Sequence, residues 1–357
     1  MTKVGCLFGG ESPEYEVSIV SAENVCSKLS EAGYEVIPIG IDPQGKWHVG
    51  EGAFSALKAF NGSELEKAAL TNRFILDQLD LDVLFPVIHG RNGEDGAVQG
   101  FCELLGLPYV GGGVLNQSLC MDKISAKRLL CERGFPQPAW REVTGNPTPA
   151  FLEKQAKELE ADLGYPLFVK PSRAGSSIGI TKAKNRMDLE VALGLAFQFD
   201  TRVIVETAIL NPVEVEIAAL GGTDPFLSVP GEVLPQREYY DFQDKYLDGA
   251  TQFVVPASIP ESMLNDLNDQ ARQAWSLFDC FGMARIDFLC SGSTVYLSEI
   301  NTIPGFTNIS MYPSLLEASG VDQVELMNRL VDLAIERHRN QPKKHRFNSQ
   351  SDWYRKT

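Results

Sequence analysis

Two short segments, Arg285-Ile286-Asp287 and Glu299-Ile300-Asn301, carry the densest set of groups able to do chemistry. Side chains along a strand alternate between faces, so Arg285 and Asp287 share one face, and Glu299 and Asn301 share one face of the next strand. If the turn at residues 291–294 closes a hairpin with an odd-numbered loop, Asp287 stands opposite Glu299 and Arg285 opposite Asn301. Hard oxygen donors at this density suit Mg²⁺, which takes one or a few carboxylates and completes its shell with phosphate oxygens and water. A solvated sheet face crossed by a salt bridge is the plainer alternative. The apolar Ile286, Phe288 and Ile300 and the specialised loop Asn301-Thr302-Ile303-Pro304-Gly305 weigh against it.

Other groups carry weaker signals. Lys170 ends an apolar run and precedes Pro171-Ser172-Arg173-Ala174-Gly175-Ser176-Ser177-Ile178-Gly179. Its glycines allow close backbone approach, and its amides and hydroxyls can hold phosphate oxygens beside the lysine charge; a plain hairpin loop stays open as an alternative. Lys123, in Met121-Asp122-Lys123, reads equally well as a solvated lysine near a helix start. Glu206 and Glu214 flank Asn211-Pro212 and could meet an adenine edge and ribose hydroxyls, or be surface acids. Among the four histidines, His89 alone sits at a strand end beside Gly90, a favoured ligand position in open α/β folds.

The elements that must position these groups follow from periodicity. Residues 4–8 read as a buried strand ending in Gly9-Gly10, followed by a helix over 18–32 and a strand over 36–41, a βαβ opening. Residues 81–88 give another strand, then a Gly-rich loop and a helix with Val98, Phe101 and Leu105 on its apolar face. Prolines 136, 138, 147 and 149 mark connections beyond a boundary near residue 123. A small α+β unit follows, with a helix over 151–163, strands over 167–171 and 203–206, and a helix over 187–199. Segments 213–220, 284–289 and 295–300 alternate like strands of a largely antiparallel sheet, with a helix over 261–278 among them and a last helix over 321–337. The division is 1–122, 123–210 and 211–338, with a basic tail over 339–357.

Composition bounds what such a molecule does. A chain of 357 residues suits two or three packed units, and 44% hydrophobic content with no low-complexity tract argues for a compact fold. A formal charge of −15 repels nucleic acid and anionic membrane, so a polyphosphate ligand must be held by local cations. The seven cysteines form no CxxC pair and read as reduced core residues, and no apolar run is long enough to span a membrane. The expected location is the cytosol.

Taken in order, these residues resemble the ATP-grasp superfamily, and further motifs are similar to those of the D-alanine–D-alanine ligase family. The carriers are Gly9-Gly10-Glu11-Ser12-Pro13-Glu14-Tyr15-Glu16-Val17-Ser18, residues 89–96, Met121-Asp122-Lys123, Lys170-Pro171 with Gly175-Ser176-Ser177, Asp244-Lys245-Tyr246, and residues 301–313. The resemblance covers about residues 3–338. It implies an ATP-grasp fold behind an N-terminal Rossmann-like α/β domain, and an enzyme that joins two D-alanines through D-alanyl phosphate for peptidoglycan synthesis. It implies ATP and two Mg²⁺ ions, with Mn²⁺ as a substitute, D-alanine as partner substrate, and a cytoplasmic homodimer.

Carried over by resemblance, Lys123, Lys170, Ser176, Ser177 and Lys245 belong to the nucleotide side, with Glu206, Thr207 and Ile209 at the adenine and Glu214 at the ribose. Asp287, Glu299 and Asn301 are the implied metal ligands. Glu14 and His89 belong to the first D-alanine, and Ser310, Lys245 and Met311 to the second. Arg285 and the Gly305 amide are implied to stabilise the tetrahedral oxyanion. Ser176, Tyr246 and Glu14 are implied to fasten a mobile loop of residues 238–251 over the site. The segment Thr207-Ala208-Ile209-Leu210-Asn211-Pro212 departs from the family pattern, which has a basic or amide residue beside the first acid and no proline before the second. Alternatives are a D-alanine–D-lactate or D-alanine–D-serine ligase, separated by Tyr246 and Met311, and a catalytically silent nucleotide sensor.

Overall fold

The computed structural model describes residues 1–60, 75–234, 252–307 and 309–341. Lys245, Tyr246, the expected loop over 238–251 and most of the basic tail lie outside the described residues.

Among the described residues three sheets follow one another along the chain. The first has the order β3-β2-β1-β4, with β1 (Lys3–Gly9), β2 (Glu35–Ile41), β3 (Trp47–Val49) and β4 (Val83–Pro86). β1 runs parallel to both β2 and β4, as a βαβ opening requires. Its helices are α1 (Tyr15–Glu31), α2 (Gly52–Lys58), α3 (Ile75–Gln78) and α4 (Ala97–Leu105). α1 buries Ile19, Ala22, Val25 and Leu29, the stripe that helical spacing brings to one side.

After α5 (Val114–Met121) and α6 (Lys123–Glu132), the second sheet has the order β5-β8-β6-β7 and is antiparallel throughout. Its strands are β5 (Trp140–Thr144), β6 (Leu167–Pro171), β7 (Thr181–Ala183) and β8 (Arg202–Thr207), backed by α7 (Pro149–Leu163) and α8 (Arg186–Ala196). The proline-rich stretch expected to be connection alone therefore contains a strand. β5 lies at the sheet edge, where neighbouring prolines leave no inner ladder bond unmade.

The third sheet has the order β12-β11-β9-β13-β14, with β10 also on β9. These are β9 (Val213–Gly221), β10 (Pro225–Leu227), β11 (Gly231–Leu234), β12 (Gln252–Val254), β13 (Gly282–Ser291) and β14 (Thr294–Asn301). α9 (Glu261–Leu277) covers it, and α10 (Met311–Ala318) and α11 (Gln323–Arg339) close the described chain.

The second sheet has its own core. The third sheet buries Trp275, Phe278 and Phe288 together with Leu130 of α6. A further core joins α1 to α10 and α11, through residues such as Val25, Leu29, Tyr312 and Leu330, so the first and third sheets are fastened by shared packing. Cys6, Cys102, Cys280 and Cys290 are buried and all seven cysteines are free, but Cys131 is exposed, against the expectation of a core thiol. Among the described residues no helix is long and apolar enough to cross a membrane.

Candidate active site

The β13–β14 hairpin sets the centre of the site. Arg285 pairs with Asn301 and Asp287 with Glu299, as alternation predicts, but the turn is not the odd-numbered loop on which that expectation rested. Ser291 pairs with Thr294 across a two-residue turn, and the register shifts between Asp287 and Phe288, whose partners are Glu299 and Leu297. The extra residue, Ser298, is a bulge. Without it Asp287 would oppose Ser298, and Glu299 would point to the other face.

Asp287 collects the hairpin's polar contacts. Arg285 donates to it twice, Nε to Oδ1 at 2.8 Å and Nη2 to Oδ2 at 2.7 Å, and Asn301 Nδ2 donates to Oδ2 at 2.8 Å. On the neighbouring β9, Glu216 stands in register with Asp287, and its Oε2 lies 3.1 Å from Arg285 Nε. Burial alone would pull the guanidinium down, but Asp287 and Glu216 outweigh it and hold Arg285 well above its ordinary value. No three His, Cys, Asp or Glu side chains converge as a ready cage among the described residues. Two carboxylates and an amide fit an ion that takes its other ligands from phosphate and water. Asn301 presents its amide nitrogen to Asp287, which leaves its carbonyl oxygen as the atom that would ligate a cation.

Two cavities of about 360 and 370 Å³ share a wall that includes Lys123, Gly175, Ser176, Glu216 and Glu299, with Cys120 and Ile300 also in the lining of both. Asp287 faces the first cavity, Asn301 the second, and Glu299 both. The three expected metal ligands thus straddle the boundary.

The first cavity gathers Lys170, Ser177, Glu206, Thr207, Ile209 and Glu214. It also holds Lys127, which sequence reasoning passed over. Glu206, 7% exposed, accepts an ion pair from Lys170 on one oxygen and from Lys127 at 2.9 Å on the other. Burial opposes ionisation of Glu206, but the two lysines prevail and bring its carboxyl to about 2. Lys170, pulled down by burial and up more strongly by Glu206, ends above its ordinary value. Lys123 opens α6, whose N-cap is Asp122 (Ser125 N–H to Oδ1, 2.8 Å), and its Nζ donates to Ala174 O in the Gly/Ser turn at 2.7 Å.

That ion triad has a measurable consequence. Removing the central charge leaves two buried ammonium groups facing each other, so Glu206→Gln should lower the unfolding free energy by roughly 3 kcal/mol at neutral pH. A carboxyl depressed from 4.5 to about 2 contributes stability that is complete above pH 4.5 and is lost as pH falls toward 2. Denaturant unfolding of both proteins should therefore show their difference shrinking across that window. A difference that is constant with pH would sink the assignment.

The second cavity gathers Glu14, His89, Arg285, Gly305, Ser310 and Met311. Ser176 Oγ donates to Glu14 Oε1 in a short contact, so the expected tie between turn and first domain is present. Ser176 and Ser177 both adopt positive φ, 46° and 58°, a strained turn for residues with a Cβ. A Cβ on Gly175 or Gly90 would lie 2.6 Å from Glu14 Oε2, so a side chain at either would displace the Glu14 carboxylate. Ser310 Oγ accepts from Thr307 N at 2.9 Å, and Met311 is buried at the start of α10.

His89 is 5% exposed, and both ring nitrogens are engaged, Nδ1 with Ile303 O at 3.1 Å and Nε2 with Ser21 Oγ at 3.2 Å. Burial pushes it below the ordinary histidine value. Glu94, another acid that sequence reasoning missed, lines the same cavity and accepts from Gly90 N at 2.7 Å and Ile303 N at 3.3 Å. Burial and then the Glu14 charge push it up to about 8.

Comparison with known proteins places the chain in a family. Residues 3–112 match the family described as D-ala D-ala ligase N-terminus, and residues 129–332 the one described as D-ala D-ala ligase C-terminus. The D-alanine–D-alanine ligase of Caldicellulosiruptor bescii is 44% identical over 352 residues, covering 94% of this chain and 96% of its own. That of Clostridium acetobutylicum is 43% identical over 342 residues, covering 94% and 98%. Among solved structures, the D-alanine–D-alanine ligase of Coxiella burnetii has a TM-score of 0.78 at 34% identity, covering 96% of this chain and 97% of its own. The VanG D-Ala:D-Ser ligase of Enterococcus faecalis has the same TM-score and identity, covering 93% and 99%. With its ATP-grasp fold and both family segments accounted for, the chain belongs to the D-alanine–D-alanine ligase family.

Proposed function

We propose that this chain is an ADP-forming ligase that uses ATP to join two D-alanines into D-alanyl-D-alanine for peptidoglycan synthesis. The observation that carries the reading is the shared wall. A lysine-rich cavity suited to a nucleotide meets an acid- and arginine-bearing cavity suited to amino acids, with Glu299 exposed to both. Phosphoryl transfer from one cavity to a carboxylate in the other needs that geometry.

In this reading Glu14 holds the ammonium of the first D-alanine, whose carboxylate attacks the γ-phosphorus as the bond to the bridging oxygen breaks and ADP leaves. Lys123 and Lys170 meet the phosphates. Lys170 must exchange Glu206 for phosphate, and Lys127 then keeps Glu206 compensated. Asp287, Glu299 and Asn301 would hold Mg²⁺, as two ions with Mn²⁺ able to substitute. The metal supplies neutralisation of charge on the transferring group. The second D-alanine, its carboxylate at Ser310 and Lys245, attacks the acyl carbon with a deprotonated amine, whose remaining excess proton leaves with the phosphate. The oxyanion collects at Arg285 and the Gly305 amide, and phosphate departs.

Closure of residues 175–179 keeps water from the acyl phosphate. Units over 1–122, 123–210 and 211–338, a cytoplasmic location and a homodimer complete the reading.

Phosphate release from ATP tests it. Release should require D-alanine and match dipeptide formed; release without D-alanine, or none with it, would overturn the reading. The equal likeness to a D-Ala:D-Ser ligase makes D-serine the competitor to include, and D-alanyl-D-alanine should dominate when both are offered.

A further inference from the structure

The loop that carries Gly305 is held from outside its own unit. Ile303 is bound at both ends of its backbone by the loop after β4: its N–H donates to Glu94 Oε1 at 3.3 Å, and its C=O accepts from His89 Nδ1 at 3.1 Å. Phe306 is bound at both ends by α1: its N–H donates to Ser21 Oγ at 3.2 Å, and its C=O accepts from Asn24 Nδ2 at 2.9 Å. Gly305 lies between these two fixed residues. The proton inventory closes on a single arrangement. Ile303 O can only accept, so His89 Nδ1 carries the proton and Nε2 is an acceptor; the Ser21 hydroxyl then donates to Nε2 while accepting from Phe306. The bonds of His89 to Ile303 and Ser21, and of Phe306 N–H to Ser21, are buried and sheltered from exchange with water, while those of Glu94 and Asn24 are half-buried.

We infer that Ser21, Asn24, His89 and Glu94 are positioning residues of the ligase reaction, which bracket Gly305 from the N-terminal unit and aim its amide at the developing oxyanion. His89, with both nitrogens committed to the bracket, acts through the loop rather than as a proton donor to substrate. The inference rests on the reading of the Gly305 amide as an oxyanion donor. An amide aimed correctly before reaction stabilises the tetrahedral species far more than the planar ground state, and small displacements of it are costly. The bracket also makes oxyanion stabilisation depend on docking of the first unit, which itself supplies Glu14.

The test uses Ser21→Ala and Glu94→Ala in the full chain, with an aminoalkyl-phosphinate dipeptide as the tetrahedral probe and thermal unfolding as the control for folding. In each variant kcat for dipeptide should fall about 10- to 100-fold. The KM for ATP and for the first D-alanine should hold, and the phosphinate inhibition constant should rise in step with the loss of kcat/KM. Parallel losses in ATP affinity, D-alanine affinity and melting temperature, or unchanged phosphinate affinity, would overturn the bracket. Gly305→Pro, which removes the amide, separates the two readings. If it loses phosphinate affinity while the bracket variants keep theirs, the oxyanion reading stands and the bracket falls. If it too keeps phosphinate affinity, the oxyanion reading falls first.

Discussion

Glu299→Gln should fold normally and make dipeptide roughly 10³-fold more slowly than the wild type, the size expected when a cation that contributes several kcal/mol to the transition state is held poorly. The amide keeps the shape of the side chain and removes the charge. Glu299 stands opposite Asp287 and faces both cavities, so its loss acts where phosphate and carboxylate meet. Two measurements check this: turnover against Mg²⁺ concentration, and Mn²⁺ binding by paramagnetic resonance in the presence of nucleotide. The variant should need far more metal and bind Mn²⁺ more weakly. Near-normal turnover at ordinary Mg²⁺, with unchanged Mn²⁺ binding, would return Glu299 to the plainer reading of a salt-bridged sheet face.

That Arg285 and Asp287 share one face, and Glu299 and Asn301 one face of the next strand, was legible in the sequence because alternation along a strand is a local property. That the two faces meet was expected from an odd-numbered turn the hairpin does not have. The device that brings them together was not legible. A bulge at Ser298 has no signature that distinguishes it from a one-residue-longer turn, and both give the same pairing at the site. The apolar runs of β6 and β13 and the stripe of α1 were equally readable, since each reports one buried face. β5 escaped because prolines on both sides hid a short edge strand.

What sequence could not supply was partnership at long range. Lys127 looks like any helical lysine until β8 brings Glu206 against it, and Glu216 looks like an ordinary strand acid until β9 and β13 pair. Glu94 sat inside the motif over 89–96 that had already been singled out, yet its bond to Ile303 depends on two units meeting. His89 was found for its place at a strand end. That rule selects a residue near the ligand and says nothing about whether its nitrogens face the substrate or the neighbouring loop.

Arg285 offers the sharpest separation of charge from geometry. Its guanidinium binds Asp287 with two donors and approaches Glu216 with Nε, a fork that lysine cannot reproduce. Arg285→Lys should therefore retain the positive charge and lose orientation. Dipeptide kcat/KM should fall about 10²- to 10³-fold, the range for removal of an oxyanion donor, while ATP affinity changes little. Arg285→Met removes the charge as well and leaves Asp287 and Glu216 without their shared cation. That variant should lose about 3–5 kcal/mol of stability, as when one partner of a buried pair is deleted. If Asp287 is a metal ligand, Mg²⁺ supplies a substitute charge beside it, so millimolar Mg²⁺ should restore part of the melting temperature of the Met variant and leave the wild type nearly unmoved. Activity should not return, because the cation repairs the charge balance without replacing the donor. Recovery of activity with Mg²⁺, or a Lys variant with wild-type turnover, would show that Arg285 serves only to neutralise its two acids.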